Sequence, residues 1–186
     1  MAKVFLLFGI SGSGKTTVLT KVRNARTVSV GTEILNAYST KFKGMDRDTI
    51  KFKELETYGL LSRVRSGVFG KLVKRTGTLM LDTHACLKAG DGYVQGLSLR
   101  DCEILRGRCR AIVYIDAKTK DILTRRKRDS SRRRASLSAD ELDRLRDINV
   151  SLSMAYALQL QVPVYIVQND YIKDAARKIE EIIERS

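Results

Sequence analysis

Proline is almost missing from this 186-residue chain, which has only Pro163. Histidine is equally scarce, with His84 alone, and the three cysteines, Cys86, Cys102 and Cys109, form no C-x-x-C pair. An odd, unpaired set argues against a disulfide framework, and one His without a Cys partner argues against a zinc site. The cysteines are expected to be small buried side chains in a reducing, cytoplasmic compartment. No stretch approaches the ~18 apolar residues of a membrane span. The VFLLF run near the start is too short for a secretory leader and runs straight into a glycine-rich turn, so nothing there is expected to be removed. Acidic residues are few beside basic ones, 21 against 35, which leaves a net charge of +14. Such a field attracts polyanions, whether nucleotides or nucleic acid.

What the chain does have begins at Gly9. The run GISGSGKTT spans Gly9, Ile10, Ser11, Gly12, Ser13, Gly14, Lys15, Thr16 and Thr17, with the spacing G-x-x-x-x-G-K-T. Glycines there permit a turn whose backbone N–H groups all point inward at an anion, and a following helix adds its positive end. Lys15 is expected to reach the β- and γ-phosphates of a nucleoside triphosphate, and the Thr16 hydroxyl to sit on Mg²⁺. A strand-like run precedes the motif and a helix-compatible TTVLTKVRNA follows, as a phosphate loop requires.

Short apolar runs recur at 27–30, 78–82, 111–116 and 163–167, and helix-patterned segments lie between them. The expected helices are Lys15–Asn24, Glu33–Thr40, Thr57–Lys74, Lys118–Arg128, Ser138–Leu160 and Ile172–Glu184, with Ser138 as an N-cap. With the first run at Lys3–Phe8, five strands alternating with helices predict a parallel α/β sheet covered on both faces. With the phosphate loop, that is a P-loop NTPase fold, three-layer α/β/α, in one domain over residues 1–186; 43% apolar content suffices for its core.

Ligands in such sheets gather at the carboxyl ends of the strands. Asp82 ends one strand and is a candidate for a Mg²⁺-bound water beside Thr16, or else an N-cap or turn aspartate. Asp116 ends another and reads as a helix cap. His84 either lines the site or makes a structural hydrogen bond. Residues 125–134, RRKRDSSRRR, hold seven basic groups and one acid. A short Arg-rich lid over a transferring phosphoryl group, a nucleic-acid patch and a solvated turn all fit that composition. The absence of interleaved aromatics weighs against a single-strand platform.

Taken together, GISGSGKTT, VGTEIL, MDRD, DTHACLKAGDGYVQGL, RRKRDSSRRR and NVSLSMAYALQLQVPVYIVQN make the chain resemble the archaeal-type adenylate kinases nearly end to end. The resemblance implies reversible phosphoryl transfer from Mg·ATP to AMP, giving two ADP. It implies ATP contacts from the loop, Mg²⁺ contacts from Thr16 and, through water, Asp82, and catalytic roles for Lys15, Arg128, Arg132 and Arg134, with the lid over residues 129–137. It implies AMP contacts from Gly31, Thr32, Arg47, Lys88, Gly92, Tyr93, Gln95, Gly96 and Leu97, and a homo-oligomer, commonly a trimer. The family's G-Y-L-P-G-L-P turn here reads GYVQGLS, without either proline, which predicts a looser loop. Gln95 then offers an amide for reading a base edge. Arg133 adds local repulsion to the lid, and TIKFKELETYG departs from the family wording after Arg47. Two other functions fit the same residues: a kinase for another monophosphate, and an RNA-associated ATPase resembling those of ribosome assembly, for which the +14 charge would be the working feature.

Overall fold

The computed structural model describes residues 2–38, 54–128 and 137–186. Arg47, Arg132, Arg133, Arg134 and the expected lid up to residue 136 lie outside the described residues. The first strand, β1 (Lys3–Phe8), is buried at every position after Lys3. Such a strand is covered on both faces, so its sequence is an unbroken apolar run instead of an alternating one. Val4, Leu6 and Phe8 enter one core cluster, and Phe5 and Leu7 the other.

Around β1 a five-stranded parallel sheet forms from β2 (Arg26–Ser29), β3 (Thr78–Asp82), β6 (Cys109–Asp116) and β7 (Val164–Gln168), in the order β2-β3-β1-β6-β7. A separate antiparallel hairpin joins β4 (Cys86–Ala89) to β5 (Gly92–Gln95). The helices are α1 (Lys15–Leu19), α2 (Val30–Tyr38), α3 (Glu54–Leu72), α4 (Leu99–Leu105), α5 (Thr119–Arg128), α6 (Ala139–Leu160) and α7 (Ile172–Arg185). Residues of α3, α4 and α6 pack on one face of the sheet, and residues of α1 and α7 on the other. The three-layer expectation stands.

Three local expectations change. The first helix stops at Leu19, not Asn24, because Lys21 and Val22 bond back three residues to Val18 and Leu19 and tighten the chain into a turn. The Thr-Thr-Val run opening α1 is poor helix material, so nothing prolongs it. Val30, expected in a strand, already opens α2. The GYVQGL stretch, expected as a turn, is strand β5 leading into α4, an element that short apolar patterning did not reveal.

Hydrogen bonds hold that stretch where the family resemblance has prolines. Ser98 N-caps α4 in a capping box with Asp101. The Asp101 carboxylate is fully buried and takes Arg65 Nε at 2.7 Å, Ser66 Oγ at 2.6 Å and the Ser98 N–H at 2.7 Å. From the other side, Asn149 of α6 accepts the Cys86 N–H at 3.0 Å, and the Tyr156 hydroxyl donates to Ala85 O and accepts from Leu97 N–H. The loop expected to be loose is tied to two helices.

Asp101→Ala would leave the Arg65 guanidinium buried and unpaired, a defect that costs about 3–5 kcal/mol. Urea unfolding should show that loss, with much of it recovered in Asp101→Leu/Arg65→Met. A loss under about 1 kcal/mol would show that water already satisfies the pair.

Candidate functional site

The phosphate loop leaves β1 at Gly9, where φ is +144° and an added Cβ would stand 2.5 Å from Ile115 O. At Gly14 φ is +91°, and a Cβ would run into Asn169 Nδ2. Both positions therefore demand glycine, once for backbone conformation and again for lack of room. Gly14 is also the N-cap of α1, with no side-chain cap and no acid in the first turn, so the helix's opening N–H groups are left for an anion. Lys15 is buried and donates to Gly9 O at 2.5 Å and Ile10 O at 3.3 Å, which holds a positive charge against the loop.

The loop is braced from outside. Ser13 O accepts Asn169 Nδ2 at 2.7 Å and Arg125 Nη1 at 3.2 Å. Asn169 is itself fixed, its N–H on Asp116 O at 2.8 Å and its carbonyl taking Arg125 Nη2 at 3.4 Å. Helix α5 lies directly on the loop, so that a Cβ at Gly12 would meet Arg126 Cγ at 3.0 Å and Ile122 Cγ2 at 3.1 Å. Two of the clustered arginines, Arg125 and Arg126, thus pack against the cradle, while Arg128 is exposed at the end of α5. Ser13 Oγ and Asn169 Oδ1 are buried without a hydrogen-bond partner. Neither Asn169 nor Arg125 was among the expected site residues. Asn169 follows the fifth strand, at the same sheet end as Gly9 and Asp82, so extending the strand-end rule to β7 would have found it.

Asp82 ends β3 in register with Leu7 of β1 and Ser29 of β2, beside the point where β1 enters the loop. The chain after it continues into β4 and not into a helix, so helix capping falls away. Thr16 is in α1, next to Lys15. Among the described residues no three His, Cys, Asp or Glu side chains gather into a metal site. Asp116 does not act as the expected helix cap: its Oδ2 accepts Gln168 Nε2 at 3.1 Å, and Arg146 Nε is 4.0 Å from its Oδ1.

The expected acceptor-side residues divide in two. Gly31 and Thr32 lie in the first turn of α2, at the carboxyl end of β2. Gly92, Tyr93 and Gln95 lie on β5, with Tyr93 exposed. Gly96 and Leu97 do structural work: the Gly96 N–H bonds Ala85 O, the Leu97 N–H bonds Tyr156 Oη, and a Cβ at Gly96 would collide with the His84 carbonyl. Leu97 is core. Lys88 Nζ lies 2.5 Å from Glu141 Oε1, and Glu141 Oε2 accepts the Ser138 N–H at 2.9 Å. One carboxylate thus ties the hairpin to the first turn of α6. The Lys88 hydrogen bond, then that of Ser138, pull the Glu141 pKa down to about 2, and Glu141 in turn raises that of Lys88. All three cysteines are buried and outside any disulfide, and burial pushes the Cys102 thiol up to about 11 and that of Cys109 up to about 12. Such thiols are inert.

The family model described as AAA domain matches residues 8–143, from the end of β1 into α6. The adenylate kinase of Pyrococcus abyssi is 28% identical, over 99% of this chain and 95% of that protein. The adenylate kinase of Methanopyrus kandleri is 27% identical over 98% of each. A solved shikimate kinase from Acinetobacter baumannii, in complex with shikimate, superposes with a TM-score of 0.65 at 20% identity, covering 100% of this chain and 94% of that one. The shikimate kinase of Bacteroides thetaiotaomicron gives 0.62 at 14% identity, covering 97% and 98%. These structures share the P-loop kinase fold and say nothing of the acceptor. The braced loop lies inside the family match, and the likeness to archaeal adenylate kinases runs along nearly the whole chain. The chain belongs to the AAA domain family and is similar along nearly its whole length to the archaeal adenylate kinases.

Proposed function

We propose that this chain is an adenylate kinase: an AMP phosphate oxygen attacks the γ-phosphorus of ATP, the bond from that phosphorus to the β–γ bridging oxygen breaks, and two ADP leave. The observation that carries the reading is the braced loop, a glycine-lined anion cradle with a buried lysine at the carboxyl end of a parallel sheet. Catalysis of this transfer is mostly positioning and charge neutralisation, which suits a cradle fixed before substrate arrives. Likeness to the archaeal adenylate kinases supports AMP as acceptor.

Lys15 and the loop amides hold the donor's phosphates in this reading. Arg128, Arg132 and Arg134, with the lid over residues 129–137, neutralise the transferring group. Gly31, Thr32, Arg47, Lys88 and the Gly92–Gln95 strand face AMP. Thr16 and Asp82 offer two hard oxygen donors, and among the described residues no cluster of three His, Cys, Asp or Glu side chains forms a ready cage, which fits a Mg²⁺ that arrives on the nucleotide and keeps its waters. When bound, the ion neutralises charge on the β- and γ-phosphates. Residues 1–186 work as one unit in the cytoplasm. Buried thiols outside any disulfide fit that compartment, and no helix among the described residues is long and apolar enough to cross a membrane. The chain assembles with copies of itself.

A second reading keeps the chemistry and changes the acceptor, since β5 carries Gln95 where the family turn has proline. An acceptor panel of AMP, CMP, UMP, GMP and dAMP with Mg·ATP separates them. ADP formed steadily from AMP is expected, and slow ATP hydrolysis without transfer would contradict both readings. RNA binding that is tight and falls steeply with salt would favour the RNA-associated ATPase instead.

Lys15→Ala should keep its circular dichroism and lose at least about a hundredfold in kcat. A near-normal rate would refute the donor assignment. Asn169→Ala should raise KM for ATP more than KM for AMP, because it removes the shorter of the two hydrogen bonds that hold the Ser13 carbonyl, on the donor side only. Equal changes in both constants would mean that Asn169 supports the whole fold and not the cradle.

A further inference from the structure

The β4–β5 hairpin has two unlike faces. Leu87 pairs with Val94 across it, and Val94 is buried, so that face packs on the protein. Lys88 pairs with Tyr93, and Tyr93 and Gln95 are exposed. Side chains alternate along a strand, so Lys88, Tyr93 and Gln95 emerge together on the outer face, the one that meets AMP in the kinase reading. Between Asp82 and Ser98 the chain has a single Lys or Arg, which is Lys88. An anion approaching the hairpin therefore meets one cationic side chain from it.

A lysine makes a poor fixed contact by itself, because its flexible four-carbon stem lets the ammonium wander. Lys88 is held. Its Nζ lies 2.5 Å from Glu141 Oε1, across 53 residues of chain. Glu141 is anchored in turn: its Oε2 accepts the Ser138 N–H at 2.9 Å, and its own N–H donates to Ser138 Oγ at 3.2 Å. This reciprocal box at the start of α6 fixes the carboxylate from the backbone outward. Both side chains are partly exposed, 27% for Lys88 and 44% for Glu141. Ion pairs so exposed add little to stability, so stability does not account for the arrangement. The hydrogen bond to Glu141 also raises the Lys88 pKa, and the ammonium keeps its charge. Of its three N–H donors Glu141 takes one, which leaves two for a second anion.

We propose that Glu141 is a positioning residue: it holds the Lys88 ammonium at a fixed point on the outer face of the hairpin, where the two remaining N–H groups receive the acceptor's phosphate. This role rests on the kinase reading and adds to it a residue that touches no substrate. Without Glu141 the lysine is still charged but must be ordered at the moment of binding, and immobilising a side chain of that kind weakens affinity by about fivefold. The loss falls on the acceptor alone. The donor cradle is braced by Asn169 and Arg125, through hydrogen bonds that involve neither Lys88 nor Glu141.

Glu141→Gln is the test, because Gln at this position keeps the box that caps α6 and removes only the charged tie. Equilibrium binding of AMP to the full chain, without ATP, should weaken by about fivefold. KM for AMP should rise in step, while KM for ATP and the thermal midpoint hold. Lys88→Met should weaken AMP binding further. Adding Glu141→Gln to Lys88→Met should then change nothing, since a positioning residue has no effect once the side chain it positions is gone. Unchanged AMP affinity in Glu141→Gln would overturn the proposal. So would tighter AMP binding, the mark of a carboxylate that competes with the phosphate for Lys88. Equal rises in both KM values with a lowered midpoint would make the tie merely structural, and an effect of Glu141→Gln that persists in Lys88→Met would remove the link between the two residues. Each of these results can occur in a chain that turns AMP into ADP, so each strikes Glu141 and spares the kinase reading. An unaltered chain without affinity for AMP would overturn both.

Discussion

One carbonyl oxygen, that of Ser13, is where the site's architecture converges. It sits in the middle of the glycine turn and receives the amide of Asn169 and the guanidinium of Arg125. A phosphate loop must turn its N–H groups inward, so its carbonyls point outward, where burial would cost dearly without a partner. Asn169 comes from the end of β7 and Arg125 from α5, and each is bonded to the other. The loop is thereby fastened to two elements far apart in sequence. The lack of room at Gly9, Gly12 and Gly14 is the steric side of the same arrangement. A cradle held in this way has little reorganisation left to undergo when an anion arrives, which is what electrostatic catalysis requires.

The proposed acceptor half follows a different plan, with hydrogen bonds in place of rigid residues. Ser98, Asp101, Arg65 and Ser66 hold the chain after β5 from the α3 side, while Asn149, Tyr156 and Glu141 hold the hairpin from α6. The three α6 side chains are spaced by eight and seven residues, so one helix face grips the hairpin from stem to tip. The missing prolines leave no slack there. Glu141 caps the start of α6 with one oxygen and binds Lys88 with the other, so the hairpin and the segment entering α6 share a fixed point.

The sheet was legible in the sequence because its central strands are buried on both faces and read as plain apolar runs, VFLLF, TLMLD and AIVYID. The phosphate loop was legible because backbone geometry restricts it to glycine. Beyond these, the signal fades for physical reasons. Cys86–Ala89 and Gly92–Gln95 are four-residue strands without clear alternation, and α4 is a seven-residue helix too short for a periodic stripe. RRKRDSSRRR reads as one cluster, yet Arg125 and Arg126 face the cradle while Arg128 faces solvent, a division that only the packing of α5 on Gly12 reveals. Nothing in the spacing around Asp101 marks it as the buried partner of Arg65, 36 residues away in the chain.

The central claim is that a loop braced through Ser13 holds the donor phosphates while the hairpin side holds AMP. A crystal structure with a bisubstrate analogue, two adenosines joined by five phosphates, tests it most directly. One phosphate should lie within Gly9–Thr17, with Lys15 Nζ moved from Gly9 O onto it and the Asn169–Ser13 bond unchanged; the second adenosine should lie between α2 and the β4–β5 hairpin. Phosphates bound elsewhere, or a Ser13 carbonyl that lets go of Asn169 to admit them, would contradict the account.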